Sequence, residues 1–395
     1  MATDVKSSDS KAPVVNRPFI TGSRFADDHQ YDNTQALGTS TVKLPTYELD
    51  TDGYTAGLYI LAELTGVSTA AATATFLEDA PFRVYETVEF KDTNNKSILG
   101  PMNGHDLYLA TKYGGYHLND DAKNSPVYSV TSGTGTSGGS FTFVLYLPIE
   151  IVHRDGLGAL TNKSSSSVFK LDLTVAATTS IYSGTTGDPA TSATLRTRIS
   201  QFGWMDSDLR DVKGNATSPE PPGINTIQYW DKQAFTFSSG AMIQRLSQFS
   251  GGLRTMVIEL RDSDGTRSGN EADFPDPFTI TVDKTTLINR LRTLWRHLIG
   301  EDYEYTTLEV LAGVSGTAAT EGKHRDYGVY PLSWSKDFGL KPGAENRFGY
   351  LWLTSATALT FKGTVGSSSA SHTFNVLLNY VNPANGDPKS MTGGR

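Results

Sequence analysis

Two tripeptides stand close together in the stretch "KHRDYGVYPLSWSKDFG", residues 323–339: His324-Arg325-Asp326 and Asp337-Phe338-Gly339. Their residue types belong to phosphoryl transfer, where one Asp accepts the proton of the attacking hydroxyl, an Asn five residues later holds a metal ion, and the Asp of the second tripeptide holds another. The spacing defeats that chemistry. Position 331, five after Asp326, is a proline, and the two aspartates are only eleven positions apart (337 − 326). Only 56 residues follow Gly339 (395 − 339), and they read as strands and Ser/Gly loops, not as a helical lobe. The run Gly133-Thr134-Gly135-Thr136-Ser137-Gly138 fits a phosphate-loop pattern, but it leads into a Thr/Phe strand with no lysine-bearing strand after it.

Other chemical groupings are thinner. His153-Arg154-Asp155 repeats the first tripeptide at the end of a strand already stopped by Pro148. His117 with Asp120 and Asp121 has a metal-like spacing but no third partner nearby. "DSDGTRSGNE", residues 262–271, carries carboxylates at calcium-like intervals, yet its glycine stands at the fourth place of the loop and not the sixth, so it reads as a hairpin turn. No pair among the 42 acidic residues is singled out for glycoside hydrolysis. The expectation is therefore no catalytic, cofactor-binding or metal site.

Composition narrows the classes further. Lys plus Arg number 34 against 42 Asp plus Glu, a net charge of −8, which argues against a surface built for phosphates and hence against specific nucleic-acid binding. There is no cysteine, which removes disulfide scaffolds, thiolate metal sites and thiol nucleophiles. No apolar run approaches the ~18 residues needed to span a bilayer, and "MATDVKSSDS" does not read as a signal peptide.

The elements that would have to position any site are strands. "SFTFVLYLP" puts Phe141, Phe143, Leu145 and Leu147 on one face; "SVFKLDLTV" sets Phe169, Leu171, Leu173 and Val175 against Lys170, Asp172 and Thr174; "TFNVLLNYV" aligns Phe374, Val376, Leu378 and Tyr380. With almost no helical pattern between them, the sheets are expected to be antiparallel. The polar, proline-containing segment 206–223 divides strands from strands. The reading is all-β: an N-terminal arm (1–40), a first eight-stranded antiparallel jelly-roll sandwich (41–205), a linker (206–223), a second sandwich (224–385) and a C-terminal tail (386–395), with a few short helices. One helix is expected over Asp283–Ile299, capped by Asp283, stopped at Gly300, with Leu287, Leu291, Leu294, Trp295 and Leu298 on its apolar face. Arg290, Arg292 and Arg296 fall toward its C-terminal end, solvated or facing another subunit.

In order and texture the chain resembles the double jelly-roll major capsid proteins of tailless, membrane-containing icosahedral phages, the tectiviruses. The resemblance runs over roughly residues 50–385. It is carried by "FRVYETVEFKDTNN", "GHDLYLATKYGG", the Ser/Gly loop, "GGSFTFVLYLPIEIVHRDGLGAL" and "SVFKLDLTV" in the first half, and by "DKTTLINRLRTLWRHLI", "RFGYLWL" and "HTFNVLLNYV" in the second. It implies a shell protein of the virion, assembled in the host cytoplasm as pseudo-hexagonal homotrimers. The implied partners are neighbouring capsomers, vertex (penton) and minor capsid proteins, and an internal viral membrane. The chain departs from the family at its start, where the polar arm "KAPVVNRPFITGSRF" replaces a Gln/Ala-rich helical segment. Val14, Val15, Phe19 and Ile20 of that arm are expected to insert between neighbouring subunits, with Pro13 and Pro18 keeping it extended. The reading from another class is a carbohydrate-binding or carbohydrate-cleaving β-sandwich, such as a lectin, a glycosidase or a viral fibre, with aromatic residues (10% of the chain) as stacking platforms.

Overall fold

A computed structural model gives the architecture. It describes Phe19 and residues 23–386 and 391, apart from positions 52, 68–74, 118–120, 132–136, 152–155, 184–192, 206–219, 222, 248–249, 306, 309–323, 336–344, 346, 348 and 367–370. The longer strands of the first half are β1 (Phe25–Ala36), β2 (Tyr54–Val67), β3 (Tyr85–Lys91), β4 (Ser97–Met102), β5 (Ser129–Thr131), β6 (Ser137–Pro148), β7 (Lys170–Val175) and β8 (Thr194–Trp204). Those of the second half are β9 (Ile227–Phe237), β10 (Gly240–Leu246), β11 (Gly252–Arg261), β12 (Phe278–Val282), β13 (Thr285–Arg290), β14 (Val329–Ser333), β15 (Leu359–Val365) and β16 (His372–Asn382).

They form two sandwiches that share a sheet. One outer sheet runs β1-β8-β2-β6-β5, the other β10-β15-β12-β13, and between them a continuous sheet runs β7-β3-β4-β9-β16-β11-β14. Pairing among these longer strands is antiparallel within each half, as the alternating patterns predicted, while the short pair Thr307–Leu308 and His324–Arg325 runs parallel. The seam differs: β9 lies parallel to β4, with Trp230 beside Leu99. Two rolls are thus fused edge to edge, which removes one exposed edge from each. The core follows the predicted faces, since Phe141, Phe143, Leu145 and Leu147 of β6 and Leu171, Leu173 and Val175 of β7 are all buried.

The first strand was hidden inside the expected arm. "FADDHQYDNTQA" is polar, yet residues 25–36 pair with β8 along its whole length, from Phe25 opposite Trp204 to Ala36 opposite Thr194. An edge strand with one face in solvent needs little apolar surface, because the ladder satisfies its backbone. The expected boundary of the arm at residue 40 is corrected accordingly.

The expected helix over Asp283–Ile299 is also corrected. Residues 285–290 are a strand, and Val282 pairs with Thr285, so Asp283 and Lys284 form a two-residue hairpin loop with Asp283 at φ 51°. The Asp283 carboxylate caps a different loop, accepting from the backbone N–H groups of Thr357 and Ala358, both at 2.9 Å. Thr285, Thr286 and Ile288 are β-branched and suit a strand. The helix, α2, covers Arg292–Tyr303 and buries Trp295, Ile299 and Tyr303 at four-residue intervals, while Leu291 and Leu294 stay exposed.

A second helix had no periodic signal. In α1 (Gly104–Tyr113) every residue is buried, so no face is left polar. Its local signature is the cap: the Asn103 side chain accepts from the Asp106 N–H at 2.8 Å, and the Asp106 carboxylate accepts from the Asn103 N–H at 2.9 Å. At Gly104 a Cβ would come within 2.0 Å of the Phe82 carbonyl oxygen, so only glycine lets the helix start there.

Candidate functional site

A set of buried charged residues converges where α1 of the first roll meets β11 and the segment before β14 of the second. Asp326, the aspartate of the first tripeptide, is fully buried there. Lys112 of α1 reaches it at 2.7 Å and reaches Asp121 at 2.6 Å; it also donates to the Tyr108 hydroxyl and to the His324 carbonyl. The Tyr113 hydroxyl donates to Asp326 at 2.8 Å. Burial by itself would lower the pKa of Lys112, but Asp326 and Asp121 hold it well above its ordinary value. Burial would raise Asp121, and the Lys112 ammonium overrides this and brings it down to about 2. A lysine with two carboxylates, all sealed from water, is an ion-paired clasp and not a base poised for catalysis.

Beside it lies a larger clasp of the same kind. Arg261 of β11 bridges Asp79 of the first roll and Glu259 of its own strand, each at 2.7 Å, and Arg267 reaches Asp79 and Glu78 at 3.0 Å. His105 of α1 sits between Glu259 and Asp79. Burial favours the neutral form of Asp79, yet His105, Arg261 and Arg267 keep its pKa below the usual carboxylate value. Lys232 of β9 pairs with Asp106 at 2.6 Å, and Arg254 of β11 donates to the Gly114 carbonyl at 3.1 Å as well as pairing with Glu345. Ion pairs thus cross from roll to roll at Lys112–Asp326, Arg261–Asp79, Arg267–Asp79 and Lys232–Asp106. Buried pairs of this kind contribute little net stability but penalise every arrangement in which a partner is missing, so they fix how one roll sits on the other.

The residues singled out by their spacing fare differently. Pro331 lies in the edge strand β14, where its missing N–H costs no ladder bond, and its carbonyl accepts the indole N–H of Trp295 at 2.7 Å. Asp337, Phe338 and Gly339, the second His-Arg-Asp at 153–155, and Asp120 lie outside the described residues, as does most of the glycine-rich run 133–138. Asp264 takes the N–H and the hydroxyl of Thr266, as in the expected hairpin turn.

Among the assembly residues, Val14, Val15 and Ile20 lie outside the described residues. Phe19 is buried within its own chain, its ring 5.4 Å from that of Tyr54 and 6.0 Å from that of Trp204, so an apolar side chain near the surface finds an intramolecular socket before any neighbour is needed. The three arginines do not form one helical stripe. Arg290 ends β13 and lies over the Trp295 ring; Arg292, in the first turn of α2, donates to the Phe274 carbonyl; Arg296 pairs with Glu271. Sequence reasoning missed Lys112, Arg254, Arg261 and Arg267, whose partners lie up to 214 positions away (326 − 112). The one local signal was the burial-prone strand "TMVIEL" flanked on both sides by arginine.

No protein-family model matches the chain, and no curated protein matches it in sequence. Solved structures do. The capsid of the virus PBCV-1 is 13% identical over 91% of this chain and 94% of its own, with a TM-score of 0.58. The major capsid protein of Sulfolobus turreted icosahedral virus gives 11%, 90%, 97% and 0.57, and the Faustovirus major capsid protein 10%, 96%, 92% and 0.53. The fold is the double jelly roll of these proteins.

Proposed function

We propose that the chain is the major capsid protein of an icosahedral virus. The observation that carries this is the fused pair of rolls, similar over nine-tenths of the chain or more to capsid proteins of several viruses. A shell wall needs a rigid unit whose faces can be tiled, and the central sheet with its ionic clasps makes one body of two sandwiches. On this reading three copies form a pseudo-hexagonal capsomer from six rolls, the protein resides in the virion, and its partners are itself, vertex and minor capsid proteins, and an internal membrane where the virus has one. The chain acts by assembly and not by catalysis, which fits the engagement of Asp326 and Lys112 with each other. The segment 206–223 links the two rolls, and the residues before β1 and after β16 serve as arms.

Two measurements test it. Native mass spectrometry and negative-stain imaging of the purified protein should give trimers, hexagonal capsomers or closed shells; a monomer at micromolar concentration overturns the proposal. Removing residues 1–18, which keeps Phe19 and β1, should leave a folded trimer of nearly unchanged melting temperature that no longer closes shells. Normal shells from the truncated chain would show that this arm is not an assembly clamp.

A further inference from the structure

Among the described residues two groups of side chains outside the seam's Lys112 clasp, one buried throughout and one buried but for a partly exposed aspartate, have the composition of a cation site, and they differ in one respect. Asp79, His105 and Glu259 bring their ligand atoms together, but the Arg261 guanidinium already lies 2.7 Å from both carboxylates. The negative charge that would attract a metal ion is spent there. Asp262, Asp273 and His372 also come together, one donor atom from each lying within 4.8 Å of the others. Among the described residues no lysine or arginine pairs with either aspartate.

The fold presets all three. Arg261 of β11 is paired with Thr373 of β16, so Asp262 and His372 continue that ladder side by side, with the His372 Nδ1 3.2 Å from Asp262 Oδ1. Asp273 comes from the loop that returns toward β12, held by Asn270 Nδ2 at 3.2 Å and Ser268 Oγ at 3.3 Å. His372 is 1% exposed, yet its Nε2 has no hydrogen-bond partner and faces Asp273 Oδ2 at 3.9 Å. A buried imidazole nitrogen left unpaired costs free energy unless something occupies the space before it. The Asp262 side chain is 36% exposed, which leaves one side open for an ion to enter and keep water ligands.

We propose that Asp262, Asp273 and His372 form a divalent-cation site. Two carboxylate oxygens and one imidazole nitrogen suit Zn²⁺ or Mn²⁺ better than Ca²⁺, which takes six to eight oxygens. Bonds of about 2.1 Å hold donors about 3–3.5 Å apart, so His372 Nε2 and Asp273 Oδ2 would approach slightly from 3.9 Å. The ion would staple the 262–273 loop to the start of β16. That loop carries Arg267, which reaches Asp79 of the first roll, so the staple would also stiffen the seam. The proposal stands whether or not the chain builds a shell.

The full-length chain, stripped with a chelator and dialysed, is titrated with Zn²⁺ by calorimetry and by thermal melting. One ion per chain is expected, with a rise in Tm of several degrees, and Ca²⁺ at the same concentration should not compete. Asp273→Asn and His372→Gln should each weaken binding at least tenfold, while Asp264→Asn, two residues from Asp262 in the same loop, should not. X-ray absorption of the Zn²⁺-loaded wild-type chain keeps the test independent of how the variants fold: one imidazole among oxygen ligands is expected. Absence of stoichiometric binding, affinity unchanged in Asp273→Asn or His372→Gln, or a shell without imidazole overturns the proposal and leaves His372 as an imidazole flanked by carboxylates.

Discussion

Replacing Lys112 by Met tests the clasp at its centre. The substitution keeps most of the side-chain volume and removes the ammonium that lies 2.6 Å from Asp121 and 2.7 Å from Asp326. Breaking a buried pair by deleting one partner costs about 3–5 kcal/mol. Here part of each carboxylate's hydrogen bonding survives, since Tyr113 still donates to Asp326, and Tyr108 and the Lys123 N–H still donate to Asp121. Protonating one carboxylate at pH 7 offers an escape whose cost is about three pH units, or about 4 kcal/mol at 1.36 kcal/mol per unit, so the loss should fall near 3–4 kcal/mol. The pH dependence carries the sharper sign. In the wild type Asp121 has its folded pKa lowered to about 2 from the ordinary 3.8, so its contribution is present above about pH 4 and is lost as pH falls toward 2. In Lys112→Met the Asp121 carboxylate loses the ammonium that opposes the effect of its burial, so its folded pKa should move up and stability should rise as pH falls from 7 toward 5. Urea denaturation at several pH values, read as midpoint and slope, measures both. A loss under about 1 kcal/mol, or a pH dependence unchanged from wild type, would refute the view that Lys112 neutralises the seam.

Other expectations follow from the corrected elements. Leu291→Asp should cost little and can stabilise, by about 0.5–1 kcal/mol, because Leu291 is 57% exposed at the N-cap of α2, which has no side-chain cap; thermal melting checks it. Trp295→Ala, at a fully buried indole whose N–H binds the Pro331 carbonyl, should cost about 3–5 kcal/mol in denaturant unfolding. Gly104→Ala should destabilise by more than the ordinary Gly-to-Ala gain in a helix, since its methyl group meets the Phe82 carbonyl; an unchanged or raised Tm would show that the helix start can shift. Removing residues 1–40, unlike 1–18, takes away β1 and exposes the edge of β8, and should lower Tm and promote aggregation seen by light scattering.

The strand faces were legible in the sequence because alternation is local: the inward set of β6 and β7 follows from which residues are apolar two positions apart. The absence of βαβ spacing likewise pointed to the antiparallel pairing of the longer strands within each half. Segments whose local signal suited two outcomes were decided by contacts. Residues 285–290 fit a helical face and a strand equally, and the neighbouring strand β12 supplied the ladder that made them a hairpin. Strand β1 and helix α1 failed for opposite reasons, one too polar and the other too uniformly buried for any periodicity to show. The His-Arg-Asp tripeptide has the residue types of catalysis, but its meaning depends on Lys112, far away in the chain, and on the burial of both. Spacing along a chain reports side-chain direction over a few residues; which charges meet, and whether water reaches them, is settled only when two sheets join along a seam that neither half can form alone.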